Sequence, residues 1–159
     1  MDSGAPITAN TELREEVIRK QYLRNFQRET FDDTGLLKAR LNVNSIEVKT
    51  DNPTHYLTGV HANYFATDNK SWSVQSKTGQ LKPGSKILFL KEDVRVNDET
   101  SATTLETNWL KVDLEHRTAS NNHPVEIVVA DTVTTAKGMN IDIDSKKLVL
   151  NAKVKTLYD

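Results

Sequence analysis

No cysteine occurs in the 159 residues, so disulfides, thiolate metal sites and a cysteine nucleophile are excluded together. The absence leaves the compartment open, because oxidising spaces also hold proteins without thiols. No basic block exceeds two consecutive residues, and 21 Lys plus Arg stand against 22 Asp plus Glu. That balance argues against a nucleic-acid partner. The longest apolar runs, 87–90 and 127–130, are four residues each, against roughly 20 needed to span a bilayer as a helix. The opening MDSGAPITANTEL lacks the basic start, apolar centre and small-residue cleavage site of a secretory signal. Proline occurs four times, in the leader or at turn signals, as ladder hydrogen bonding requires. No GxSxG, phosphate loop, GxGxxG or HExxH is found.

What is present is a repeat. Val60, Val94, Val125 and Val154 are separated by 34, 31 and 29 residues, in the strings HYLTGVHANYF, ILFLKEDVRVND, ASNNHPVEIVVAD and LVLNAKVKTLYD. Each copy joins an extended apolar arm, a polar break and a second extended arm. A unit of about 30 residues made only of strands cannot cover its own apolar face, so it stacks on its neighbours. Function then lies along the stack rather than at one catalytic point. A length of 159 residues suits one domain, and 36% apolar with 27% charged residues suits strands with one solvated face.

Two regions are expected. Residues 1–24 form a leader: 1–10 disordered, then TELREEVIRKQYLR (11–24) as a short helical stub with Glu15/Arg19 and Glu16/Lys20 at pair spacing. From 25 to 159 the text alternates with period two, broken by DDTG (32–35), TDNP (50–53), TDNK (67–70), KPGS (82–85), NDET (97–100), SNNHP (120–124) and IDSKK (143–147). The spacing predicts an all-β antiparallel array. Gly35 and Gly138 suit turn or bulge positions that set strand register.

Counting by twos assigns an inward face. From Val154 it takes in Leu148, Leu150, Ala152, Thr156 and Tyr158; from Val94, Leu88, Leu90 and Val96; from Val125, Ile127 and Val129; from Val60, Tyr56, Ala62 and Tyr64. Lys91, Arg95, Glu126, Lys153 and Lys155 fall on the opposite, solvated face. The apolar lining is either a packed core or a trough for an acyl chain, and periodicity does not choose between them. His55, His61, His116 and His123 have no metal-ligand spacing, so no metal or other cofactor is expected. Asp32/Asp33 read as a solvated turn pair, and Asp142/Asp144 as a solvated pair on one strand face.

The succession NFQRETFDDTGLLKARL, SWSVQSKTGQL, ILFLKEDVRVND, TTLETNWLKVDLEHRTASNNHPVEIV and AKGMNIDIDSKKLVLNAKVKTLYD resembles the LptC family, the inner-membrane component of the lipopolysaccharide export bridge in Gram-negative envelopes, over residues 25–159. The resemblance implies a twisted, open β-jelly roll like that of LptA, in the periplasm, receiving lipopolysaccharide from an inner-membrane ABC transporter at the N-terminal edge. It also implies delivery to LptA at the C-terminal edge. The family's lipid-facing positions fall on Phe26, Tyr56, Leu148 and Tyr158. Val60, Leu90, Val94, Ile127, Leu150 and Val154 join them on the inward count. The last strand, with Lys147, Val149, Lys153, Lys155 and Tyr158, is the expected template for an added partner strand, or for a homodimer when the partner is missing. The family's membrane helix is not matched by MDSGAPITAN, so the chain is expected to lack that anchor. The competing readings are a soluble LptA-like bridge subunit, a dry β-solenoid scaffold, and a solenoid carbohydrate enzyme using Asp142 or Asp144.

Overall fold

Strands here run 11 to 14 residues, about twice the usual length. The computed structural model describes residues 21–65, 71–99, 101–145 and 147–158. They form β1 (Gln21–Phe31), β2 (Leu37–Lys49), β3 (Asn52–Phe65), β4 (Ser71–Leu81), β5 (Ile87–Asp98), β6 (Thr103–Asp113), β7 (Thr118–Val129), β8 (Thr132–Asp142) and β9 (Lys147–Tyr158). All nine join one antiparallel sheet in sequence order, so β1 and β9 are its two edges among the described residues. No helix occurs among the described residues. The helical stub is overturned at residues 21–24, which begin β1; its first part, 11–20, lies outside the described residues, as do the leader 1–10 and the whole TDNK turn.

The strands are long because each serves two leaves. A row of breaks crosses the sheet through the middle of the strands. Register shifts fall between Gln75 and Thr78, Lys91 and Val94, Thr107 and Lys111, Asn121 and Pro124, and Thr135 and Lys137. Left-handed backbone marks the same row at Asn25, Gly59, Glu92, Asp93, Gly138 and Lys153. Such bulges bend and twist a strand, and here they fold the sheet over its own apolar face. One leaf contains 60–65, 71–76, 94–98 and 103–107; the other contains 78–81, 87–91, 109–113, 118–121 and 139–142. The core lies between them.

The breaks also explain the repeat. Val60, Val94 and Val125, all buried, each stand on an odd-numbered strand immediately past its break, and Val154 has the same place on β9. The repeating unit is therefore one two-strand hairpin. SNNHP, expected as a turn, instead lies inside β7 as its bulge, with Pro124 placed where the ladder is already interrupted. The Asp142/Asp144 pair is corrected too: Asp142 ends β8 and Asp144 lies in the following turn.

Two turns carried no recognised signal. The 114–117 turn is held by Asp113, whose Oδ1 accepts the amides of Glu115 and His116 at 3.1 and 3.0 Å. The 130–131 turn reverses the chain at Ala130, which takes φ 53°.

Candidate functional site

The inner face is sealed in the middle and open at both ends. Tyr64, Trp72, Val74 and Val96 of one leaf meet Leu110, Val112, Ala119, Ile141 and Ile143 of the other around a void of about 10 Å³. That is room for a single water at most. Leu110 and Met139 are 0% exposed. Alternation of β-branched and aromatic side chains on long strands gives this seam its close fit.

Toward β9 the covering leaf runs out. Ile127 pairs with Thr134, which pairs with Thr156, so the Val154, Thr156 and Tyr158 side of β9 continues the inner face. Yet Val154 is 51% and Tyr158 79% exposed. Leu148 and Leu150, opposite Ile141 and Met139, are half-buried against the core. At the other edge Phe26, opposite Val43, is half-buried, and Leu23, opposite Ile46, is exposed on the same face. An apolar surface left uncovered beside a packed one is where a ligand gains most from leaving water.

The expected lining residues therefore divide. Val60, Leu90, Val94 and Ile127 lie deep in the core, with Phe26, Leu148 and Leu150 packed against it. Val154 and Tyr158 stand on the inner face without cover. Tyr56 is a correction: Leu57, not Tyr56, is buried opposite Ile46 and Gly79, so Tyr56 lies on the outer face. There its hydroxyl accepts a hydrogen bond from Asn52 Nδ2 at 2.9 Å, and Lys49 Nζ sits 5.3 Å from its ring centre. Counting by twos fails because Gly59 resets the phase. Sequence reasoning placed Tyr64 inward, as found, but missed Leu23, Trp72, Met139 and Ile141; the positive-φ positions flanked by apolar arms were the available signal.

Along β9, Lys147, Val149, Lys153 and Lys155 are exposed, and Lys153 takes φ 51° at the break. Gly138 takes φ 86°, and a Cβ there meets Asn151 Nδ2 at 2.9 Å and the Asn121 carbonyl oxygen at 3.2 Å. Gly35 takes φ 88° in an open turn with nothing within 4 Å. On β6 and β7 a buried clasp spans the break: Asn121 Nδ2 donates to Thr107 Oγ1 at 3.0 Å and to the Trp109 carbonyl at 2.6 Å, while Thr107 Oγ1 donates to the Pro124 carbonyl at 2.9 Å.

Charged groups keep to the outside and to the turns. A groove of about 800 Å³ crosses the outer side along the breaks, lined by His61, Gln75, Arg95, Glu106 and Glu126 among others. Its walls mix these polar side chains with apolar ones such as Val125, Pro124 and Ala136. Asp142 Oδ1 accepts the amides of Asp144 and Ser145, both at 3.1 Å, and Asp144 Oδ1 accepts Arg117 Nε at 2.7 Å. These two carboxylates are therefore engaged in holding the β8–β9 turn. Burial raises the Tyr64 phenol above its ordinary pKa, partly offset by Arg117.

A family model described as LptC, lipopolysaccharide-assembly, LptC-related, matches residues 8–159. No curated protein matches the chain.

Proposed function

This chain belongs to the LptC-related family of lipopolysaccharide-assembly proteins, and on that premise we propose that it conducts lipopolysaccharide along its inner face in the periplasm. It is a component of lipopolysaccharide transport. In the proposed route, an inner-membrane ABC transporter delivers the lipid at the β1 edge and an LptA-like protein takes it at the β9 edge. Acyl chains lie on the apolar inner face, gaining about 25 cal/mol per Å² removed from water, while sugars and phosphates stay in solvent. No bond is made or broken by the protein. A row of similar apolar contacts lets the lipid move without a large penalty at any one step, so direction comes from the energy source in another subunit.

The observation that carries this reading is the uncovered inner face at Val154 and Tyr158, next to the half-buried Leu148 and Leu150. The β9 edge offers unpaired backbone to a partner strand, and two copies of the chain use the same edge when that partner is missing. A photo-reactive side chain is placed in turn at Val154, Tyr158, Tyr56 and Lys155, and the protein is irradiated with lipopolysaccharide. Labelling at Val154 and Tyr158, with little at outward Tyr56 and Lys155, is expected. Equal labelling at all four overturns the inner-face route.

A further inference from the structure

We propose that Arg117 is a latch that holds the two leaves closed over the central seam, and that acyl chains pass the middle of the sheet only when it lets go. This rests on the lipid-conducting reading above. The ends of the inner face are open, but the seam between Tyr64, Trp72 and Val96 on one side and Leu110 and Ile141 on the other leaves only about 10 Å³. A hydrocarbon chain does not fit in the space of one water. Transit therefore requires the leaves to part there.

Arg117 is built to govern that parting. It ends the 114–117 turn in left-handed backbone, φ 56°, a conformation seldom taken by residues with a Cβ. Its carbonyl accepts the Ile143 amide at 2.9 Å and its Nε donates to Asp144 Oδ1 at 2.7 Å, so both bonds fix it to its own leaf. Toward the opposite leaf, its guanidinium lies 5.9 Å from the ring centre of Tyr64. Tyr64 pairs with Trp72 and lines the seam. The guanidinium thus spans from one leaf to the other at the rim, through a contact with an aromatic face. Such a contact is weak enough to open reversibly. When an acyl chain presses in, Arg117 remains held by Asp144 and Ile143, so it is poised to close again.

Trp72 reports on the seam directly, because it lines it, whereas the other tryptophan, Trp109, stands on the outer side between Phe89 and His123. In a Trp109→Phe background, Trp72 fluorescence is followed while lipid A with brominated acyl chains is added, since bromine quenches only on close approach. Arg117→Gln, which removes the cation, is expected to raise quenching at subsaturating lipid about two- to fivefold, the shift one such contact controls. Asp144→Asn, which loosens the anchor, should move it the same way. Tyr64→Phe keeps the ring, the cation and its anchor and should stay near the parent, with all variants checked for an unchanged thermal midpoint. Quenching in the parent already equal to that of Arg117→Gln overturns the latch. So does labelling of Tyr158 by lipid with no Trp72 quenching in any variant, which leaves the conducting reading standing. Failure of both Tyr158 labelling and Trp72 quenching sinks that reading and the latch with it.

Discussion

Gly138 and Gly35 share a left-handed backbone but not a neighbourhood, and the difference predicts unequal costs. Either glycine replaced by alanine loses about 1–2 kcal/mol to the φ requirement alone. At Gly138 the new methyl also crowds the Asn121 carbonyl and Asn151, so Gly138→Ala should cost more than Gly35→Ala, by roughly 1 kcal/mol, in urea denaturation. Equal midpoints would remove the crowding argument. A second local expectation concerns the Asp113–His116 pair, with His116 Nδ1 2.9 Å from Asp113 Oδ2. This bond raises the His116 pKa above 6.5, while the His116 amide and then its ring hold Asp113 below 3.8. The histidine contribution is complete below 6.5 and fades as pH rises through its raised value. The aspartate contribution is complete above 3.8 and fades as pH falls through its lowered value. The turn is thus tightest between pH 3.8 and 6.5. NMR titration should place the His116 midpoint above 6.5, and Asp113→Asn should bring it down.

Strands that break in the middle decide how far the pattern of residues could be read. The inward assignment of Leu88, Leu90, Val94, Val96, Val125 and Ile127 agrees with the structure because β5 and β7 cross their breaks in an even number of steps, 90 to 94 and 121 to 125. On β3 the step is odd, 57 to 60, and that is why Tyr56 was placed on the wrong face. Counting by twos assumes an unbroken pleat, and a single left-handed residue shifts every position beyond it. DDTG, TDNP and KPGS mark real turns, whereas SNNHP has the same composition and marks a bulge, since both need a backbone that leaves the ladder. The closed seam was not legible, because it depends on which half-strands face each other across the fold. On β9, Leu150 stands opposite Met139 and packs on the core, so Leu150→Arg should lower stability by about 2–3 kcal/mol and weaken lipid uptake. An unchanged, fully active protein would contradict its inward placement.

A sheet whose spatial order equals its chain order is a row of hairpins, each supported by the strands beside it. Removing β9 should therefore subtract one interface rather than abolish folding. A chain ending at residue 146 is expected to unfold cooperatively, with an m-value reduced by roughly one strand's share of surface. Loss of any cooperative transition would show that β9 is needed for the core itself. The same removal takes away Val154 and Tyr158 and should end lipid labelling at that edge while leaving the seam intact. The order of the strands also bears on how the protein comes into being. Every strand finds its partner in the stretch of chain made just before it, so a nascent polypeptide can add one hairpin after another as it emerges, and no early segment has to wait for a late one.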